Sequence, residues 1–390
     1  MRGKHRGKLA AAAAMAVSAI AAAGVMASPV AQAQPLSFIG RFHTITTIAS
    51  TVPSIVGPGN GDVNPYGVAV VQHSEGKLVK NNVLVSNFNN SSNQQGTGST
   101  IMSISPSGTA TVFARISPIG LPCPGGVGLT TALSILDNGW VVVGSLPTTA
   151  GNPATMKAGC LIVLNSNGRV VTTFSGHGIN GPWDMTAVNF GGLSELFVTN
   201  VLNGTVEAAL KAGINPSTTP GPIVDGGTVL RLLVTAPRFG KPQLLSTTVI
   251  GSRFAERTDP SALVIGPTGV ALGQHDTLYV ADTLGDRIAG IPHALIRHTS
   301  NLTGFTVAIN GFLNGPLGMA LAPDGNILTV NGGDGYIVET EPNNHLHARR
   351  LLDSAGSPPG AGALFGLAVA PQAKGIYFVD DNTNTLNLFH

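Results

Sequence analysis

Six copies of one strand pattern run through this chain, at a spacing of about 60 residues. In each copy an apolar strand follows a Gly or another small residue, a turn follows, and a second apolar strand ends on a polar residue. The segment LYVADTLGDRIAGI (278–291) has close counterparts in ILTVNGGDGYIVET (327–340) and IYFVDDNTNTLNLF (376–389). A fixed period of this kind indicates a repeat architecture, in which each unit is a small sheet that packs on its neighbours.

Two further candidate strands follow each copy except the last, so a complete unit has four strands. Six four-stranded units predict an all-β fold, a six-bladed β-propeller of antiparallel blades. The last unit lacks one strand, and the segment RFHTITTIAS (about 41–50) is an unassigned strand near the other end of the chain. We therefore expect residues 41–50 to complete the last blade, which closes the ring and removes an exposed sheet edge.

These blades form one predicted domain, residues 34–390. The second strands of the copies end on polar residues whose side chains are expected to accept hydrogen bonds from backbone amides two residues on, a structural role. These residues are Asn87, Ser145, Asn200, Asp282, Asn331 and Asp381. The predicted blade bounds are 51–116, 117–175, 176–251, 252–310, 311–353, and 354–390 together with 41–50.

Residues 267–291 resemble an NHL repeat. The family signature has a P-x-G-x-A opening, a Y-V-A-D-T strand end and an N-x-R-I continuation, and this chain has Asp286 where the family usually has Asn. The resemblance implies a six-bladed propeller and says little about activity. Proteins of this type include RNA binders, amidating lyases, interaction modules and exported bacterial proteins of uncharacterised function.

The first residues predict a signal peptide. MRGKHRGK is basic, an Ala-rich apolar run follows, and Ala31 and Ala33 have the A-x-A spacing of a cleavage site. We predict cleavage after Ala33, which makes residues 1–33 a signal peptide and the protein secreted or periplasmic. A retained membrane anchor is the alternative. No other segment is long and apolar enough to span a membrane.

Charge and cysteine content limit the possible partners. The chain has 21 Lys and Arg and 19 Asp and Glu, and the acidic residues outnumber the basic ones once the N-terminal segment is removed. Without a basic cluster, we expect no nucleic-acid partner. Cys123 and Cys160 predict one disulfide in an oxidising compartment, worth about 3–4 kcal/mol by chain entropy. Two free thiols are the alternative.

Loop lengths are uneven around the predicted ring. The loops after the second strand are long in the first three blades and short in the others; they span 88–98, 146–159 and 201–227. We call these three segments the long loops, and the face of the ring that carries them the long-loop face. Long insertions on one face are typical of a binding surface. Simple tolerance of long loops in an exported protein is the alternative.

The residues just before each inner strand are predicted to surround the pore on the long-loop face. They are Tyr66, Thr130, Trp183, Thr268, Leu317 and Phe365, with Asp184 as the only charge beside them. From this set we predict Tyr66, Trp183, Asp184, Thr268 and Phe365 as ligand-binding residues. A small molecule, a peptide or a glycan suits such an apolar, aromatic surface.

The leading hypothesis is therefore a monomeric, non-enzymatic binding module that uses the long-loop face, with no cofactor and no metal site. The alternative is a metal-dependent lactonase, hydrolase or lyase with its site at the central pore. Exported six-bladed lactonases are similar in fold and hold a divalent cation with acidic and amide side chains. In that case Asp184 would be the catalytic acid or a ligand of Ca²⁺ or another divalent cation. A purely structural envelope or matrix protein is a third possibility.

Overall fold

Short alternating strands dominate the computed structural model, which describes residues 37–343 and 347–390. The predicted signal peptide, residues 1–33, lies outside this part of the chain. The first blade contains β2 (Val63–Val70), β3 (Val83–Asn89), β4 (Thr100–Ile104) and β5 (Ala110–Arg115). The second contains β6 (Leu129–Ile135), β7 (Val141–Ser145), β8 (Cys160–Leu164) and β9 (Val170–Phe174).

The third blade contains β10 (Gly181–Asn189), β11 (Leu193–Val201), β12 (Val224–Thr235), β13 (Leu244–Asp259) and β14 (Leu263–Ile265). The fourth contains β15 (Pro267–Leu272), β16 (Leu278–Asp282), β17 (Arg287–Ile291) and β18 (Phe305–Ile309). The fifth contains β19 (Pro316–Leu321), β20 (Ile327–Asn331), β21 (Tyr336–Thr340) and β22 (His347–Leu351). The sixth contains β23 (Leu364–Val369), β24 (Ile376–Asp380), β25 (Thr385–Phe389) and β1 (Ile45–Ser50).

The described residues form one α-helix, α1 (Thr205–Lys211), inside the third long loop, where the segment TVEAALKAG predicts one. The remaining helical turns are of the 3-10 type. They are Ile39–Arg41, Asp137–Gly139, Pro153–Thr155, Gln274–Asp276, Thr283–Gly285 and Pro371–Ala373. No helix in the described part of the chain has the length and apolar character needed to cross a bilayer.

The predicted ring closure is confirmed. Strand β1 pairs antiparallel with β25, with Ile45 opposite Phe389 and Ser50 opposite Thr385. The sixth sheet therefore has the order β1-β25-β24-β23, and strands from the two ends of the propeller share it. This pairing covers the sheet edge that the last blade would otherwise expose.

The third blade extends beyond residue 251, where the sequence analysis places its end. Strand β13 continues to Asp259 because the twelve-residue β12 offers a longer partner, with Val224 opposite Glu256. Its last residues also pair with β14, where Thr258 lies opposite Val264. The fourth blade consequently begins with β15 at Pro267 rather than at residue 252.

The polar residues at the second-strand ends have structural roles, but their partners differ from the expected ones. The Asn200 side-chain oxygen accepts hydrogen bonds from the amides of Asn180 and Gly181, at 2.7 and 3.1 Å. Ser145 Oγ likewise accepts from the Gly128 amide at 3.1 Å. These side chains therefore fix the segment that enters the same blade, which a local turn pattern does not reveal.

Buried hydroxyl groups join neighbouring blades near the ring axis. Ser86 Oγ in the first blade donates to the Thr130 carbonyl oxygen of the second at 2.8 Å. Thr199 Oγ1 in the third blade donates to the Thr268 carbonyl oxygen of the fourth at 2.6 Å, and accepts from the Asp184 amide at 3.0 Å. One hydroxyl group thus satisfies polar backbone atoms of two inner strands.

We predict that Thr199→Val lowers the free energy of unfolding by about 2–3 kcal/mol, because it leaves a buried amide and a buried carbonyl without partners. Valine keeps the shape and strand preference of threonine, so packing changes little. Urea unfolding measures the loss. Thr109→Val, at an exposed position just before β5, is the control and should change stability by less than about 0.5 kcal/mol. Equal stability of the two variants would contradict the structural role of the Thr199 hydroxyl.

Candidate functional site

All six inner strands carry an irregularity at the same place in the repeat. In β2 the register shifts between Pro65 and Gly67, and in β10 it shifts between Pro182 and Met185. Strands β6, β15, β19 and β23 shift at the equivalent position. Bulges of this kind re-aim side chains. The third residue of each repeat, counted from Pro65 or its equivalent, lies at this irregularity.

That third residue is glycine in four blades, where the inner strands come too close for a side chain. These glycines are Gly67, Gly269, Gly318 and Gly366. A Cβ atom added at Gly318 would collide with the Phe365 carbonyl oxygen, and one added at Gly366 would collide with that of Tyr66. Only Thr131 in the second blade and Asp184 in the third place side chains at this level.

Asp184 is a buried carboxyl group with few partners. The residue is 8% exposed, and its Oδ1 accepts a hydrogen bond from the Met185 amide at 2.7 Å. Thr131, in the neighbouring blade, is 6% exposed, and its hydroxyl group has no hydrogen-bond partner among the described residues. The two neighbouring blades thus present an acid and an unsatisfied hydroxyl group close to the axis.

Burial dominates the electrostatics of Asp184. Loss of solvent raises the pKa of its carboxyl group from 3.8 to about 7, and the hydrogen bonds from the Met185 and Val270 amides oppose this rise only in part. Both protonation states are therefore populated near neutral pH. As a protonated acid the group donates a hydrogen bond, and as a carboxylate it binds a cation.

Asp184 and Thr131 line a central cavity of about 590 Å³ formed by the inner strands of all six blades. Aliphatic side chains such as Val68, Leu133 and Leu367 make up much of its wall. Its outer rim contains polar residues at or just beyond the ends of the inner strands, namely Gln72, His73, Glu75, Asp137, Asn138 and Asn189. Polar and apolar surface contribute about equally to the cavity, and its polar side chains lie at the outer rim and the inner end.

The central cavity opens on the face opposite the long loops. In the first blade Val70 pairs with Val83 at one end of the sheet, and Val63 pairs with Asn89 at the other. The rim residue Gln72 lies just beyond Val70, at the first of these two ends of the sheet. The first long loop (88–98) lies at the other end, where β3 ends at Asn89. Because the inner strands are arranged alike in every blade, the rim and the long loops lie on opposite faces of the ring.

Most of the residues predicted to bind ligand fill the pore and do not line the cavity. In the sequence each of them comes immediately before the third residue of its repeat. The rings of Tyr66 and Phe365 stack with centroids 3.8 Å apart, and Phe88 stacks on the other side of Tyr66 at 4.4 Å. Trp183 completes this aromatic cluster, 6.1 Å from Tyr66. The four residues are at most 6% exposed. They close the pore between the central cavity and the long-loop face.

Thr268 is also buried, and its hydroxyl group forms a 2.7 Å hydrogen bond with that of Thr283. Of the five predicted binding residues, only Asp184 contributes to the wall of the central cavity. Ligand binding by the other four stays a prediction. Thr131 is absent from the predicted binding residues, although the sequence contains a signal for it, since Thr131 and Asp184 are the two exceptions to the glycine position of the repeat.

The long loops pack on one another above the aromatic cluster. Leu146 and Met156 of the second loop and Leu263 of β14 belong to the same buried core as Tyr66. Gln95 of the first loop forms hydrogen bonds with two neighbouring segments. Its side-chain amide donates to the Pro260 carbonyl oxygen at 3.2 Å, and its main-chain carbonyl oxygen accepts from Thr148 Oγ1 at 2.6 Å. A smaller cavity of about 300 Å³ lies between the second and third loops.

The predicted disulfide between Cys123 and Cys160 is confirmed, with a Cα–Cα distance of 5.4 Å. Cys123 precedes the second blade and Cys160 begins β8, so the bond fixes the base of the second long loop. Both residues are buried. A disulfide at this place stabilises the long-loop face.

The residues at the inner end of the central cavity do not fit a divalent cation. Within 37–343 and 347–390, no group of three or more His, Cys, Asp or Glu side chains is placed to hold a metal ion. Asp184 and Thr131 supply one carboxylate and one hydroxyl group, whereas Ca²⁺ takes six to eight oxygen ligands. No step of a metal-dependent reaction is derived from this site.

The fold is similar to those of solved propeller enzymes. A putative oxidoreductase (glucose dehydrogenase) from Thermus thermophilus has 12% identity and a TM-score of 0.52, over 89% of this chain and 99% of that one. The PQQ-bound aldose sugar dehydrogenase from Streptomyces coelicolor has 14% identity and a TM-score of 0.50, over 88% and 97%. A luciferin-regenerating enzyme has 11% identity and a TM-score of 0.50, over 88% and 94%.

At these identities the similarity shows the fold alone, a six-bladed β-propeller. No protein-family model matches the sequence, so the resemblance to NHL repeats stays a prediction. No curated protein matches it in sequence either. The properties of the central cavity therefore carry the functional argument.

Proposed function

We propose that this chain is an exported binding protein that takes a small amphipathic molecule into the central cavity. The observation that carries this proposal is a cavity formed by all six blades whose lining combines aliphatic side chains with a buried carboxyl group, Asp184. A volume of about 590 Å³ lies within the range of small-molecule sites, which combine apolar walls with a few polar groups.

Export is part of the proposal. A disulfide between Cys123 and Cys160 suits an oxidising compartment, where such bonds form and persist. The basic and Ala-rich segment of residues 1–33 has the pattern of a signal peptide. Together these two features support a secreted or periplasmic location.

The proposal keeps the binding role predicted from the sequence and moves it to the other face. Hydrogen bonds join the second long loop to the first and to the third, and the aromatic cluster beneath them is buried. A ligand would have to separate these contacts to reach Tyr66 or Trp183. The central cavity needs no such rearrangement because it is already open.

A binding role is favoured over a hydrolase or lyase for a chemical reason. The near-neutral pKa of Asp184 suits a general acid or base, but a hydrolase or lyase site also needs groups that activate a nucleophile or stabilise the charge that develops on the substrate. The inner end of the cavity offers Thr131 alone, and it does not fit a divalent cation. Recognition of a polar group at the end of an apolar molecule requires only the groups that are present.

We predict that Ala368→Phe abolishes binding of N-phenyl-1-naphthylamine, an uncharged probe that fluoresces in apolar surroundings. Ala368 on β23 is half-buried and lines the cavity, so a phenyl ring there would occupy the space that a ligand needs. Fluorescence titration of the wild-type protein should show one saturable site. The variant should bind at least about tenfold more weakly, a loss of about 1.4 kcal/mol.

The matched control is Ala110→Phe on β5, where the same side chain is added at an exposed position. This variant should bind the probe as the wild type does. Saturable binding that survives Ala368→Phe would place the site elsewhere and contradict the proposed function. Absence of saturable binding to the wild-type protein would contradict it as well.

A further inference from the structure

The charged residues of the central cavity are of one sign. Its wall and rim contain Glu75, Asp137 and Asp184 and no Lys or Arg, and the other titratable side chain is His73 at the exposed rim. Asp137 Oδ2 accepts hydrogen bonds from the Gly191 and Gly192 amides at 2.8 and 3.2 Å, which hold the carboxylate in place. Acidic groups that line a concave site attract cations.

Asp184 has no positively charged partner. The ion pairs among the described residues join Lys211 to Glu207, Arg231 to Glu195, Arg257 to Asp259 and Arg287 to Asp282, and none of them involves Asp184. A buried carboxylate without a counter-charge is costly, and a cationic ligand removes that cost by supplying the charge.

We propose that the ligand is an organic ammonium ion, a protonated amine at one end of an alkyl or arylalkyl body. This inference rests on the proposed function, since it names the chemical class of the molecule that the central cavity takes. The ammonium group donates hydrogen bonds to the Asp184 carboxylate, which has acceptor capacity to spare. The apolar body lies along the aliphatic wall toward the rim.

The chemistry of the two groups also separates this ligand from its alternatives. A carboxylate ligand would place two negative charges together at the buried end, which disfavours binding. A neutral alcohol would exchange hydrogen bonds with Asp184 but would supply no counter-charge. Burial raises the pKa of Asp184 by desolvation, and a bound ammonium ion opposes that effect.

The test compares three probes of equal chain length at pH 8, namely n-octylammonium, n-octanol and n-octanoate, by displacement of N-phenyl-1-naphthylamine. Hydrogen bonds to charged groups are worth more than neutral ones, so octylammonium should bind about 10- to 100-fold more tightly than octanol. Octanoate should bind most weakly. Octanol serves as the internal reference for the apolar contribution.

Asp184→Asn should remove most of the preference for octylammonium over octanol, because the amide carries no charge. Asp225→Asn is the control: Asp225 is exposed on β12 and is not part of the cavity, so this variant should keep the preference. Urea unfolding verifies that both variants are folded.

Equal or tighter binding of octanol or octanoate would overturn the inference while the proposed function stands, since a ligand is still bound. A preference for octylammonium that survives Asp184→Asn would overturn it too. If N-phenyl-1-naphthylamine shows no saturable binding to the wild-type protein, both the inference and the proposed function fail.

Discussion

Raising the pH from about 5 to about 8 is expected to lower the free energy of unfolding of this protein by several kcal/mol. Burial raises the pKa of three carboxyl groups, Asp184, Glu256 and Asp381, to about 7. Their pKa values in the unfolded chain are near 4. At pH values between about 4 and about 7, these three carboxyl groups are therefore protonated in the folded protein and ionised in the unfolded chain.

The sign of the effect follows from this difference in bound protons. A carboxyl group whose pKa is raised in the folded state contributes stability that is fully present below the unfolded pKa, and this stability is lost as the pH rises through the folded pKa. The loss should therefore run from about pH 4 to about pH 7. This direction is opposite to that of a protein whose carboxylates are held by ion pairs.

Asp184→Asn isolates the contribution of one of these groups. The asparagine amide resembles the protonated carboxyl group in shape and cannot ionise, and its oxygen can still accept from the Met185 amide. We expect the variant to equal the wild type near pH 5 and to exceed it by about 2–4 kcal/mol near pH 8. Urea unfolding at a series of pH values measures both curves.

The control for this experiment is again Asp225→Asn, whose curve should follow that of the wild type. Parallel curves for Asp184→Asn and the wild type would show that Asp184 titrates like a solvated carboxyl group. The assignment of this residue to a desolvated cavity end would then be wrong.

Replacing both cysteines, Cys123→Ala with Cys160→Ala, is expected to lower the free energy of unfolding by about 3–4 kcal/mol. The disulfide closes a segment of 37 residues, and its removal restores that freedom to the unfolded chain. Alanine is small and apolar, which suits the buried surroundings of both positions. Urea unfolding gives the difference between the variant and the oxidised wild type.

Chemical reduction of the wild type provides the matched comparison, because it breaks the bond and keeps the side chains. Reduced wild type and the double variant should lose similar amounts of stability. A loss below about 1 kcal/mol in both would mean that the bond adds little to the fold. The second long loop would then hold its position through packing and hydrogen bonds alone.

The ring and its closure were predictable because they depend on the period of the sequence. Alternating apolar residues define the strands, six copies define the blades, and the strand missing from the last copy points to residues 41–50. The disulfide was predictable because only two cysteines are present. The end of the third blade was not predictable, because the length of β13 depends on how far this strand pairs with the long strand β12.

The open face of the cavity depends on a smaller feature. A bulge in each inner strand offsets the residues that reach the axis by one position, so that Trp183 packs in the pore and Asp184 faces the cavity. Aromatic rings near the ring axis can either line an open pore or fill it. Which of the two occurs depends on how the rings stack on one another. That packing is a tertiary property, and strand alternation alone does not define it.

Binding in the central cavity is tested most directly by a crystal structure of the protein with a brominated N-phenyl-1-naphthylamine, in which anomalous scattering locates the bromine. Bromine is expected inside the central cavity, between the Asp184 carboxyl group and the rim that includes Gln72 and Asn138. Bromine among the long loops, in the smaller cavity near Met156 and Val206, would contradict binding in the central cavity.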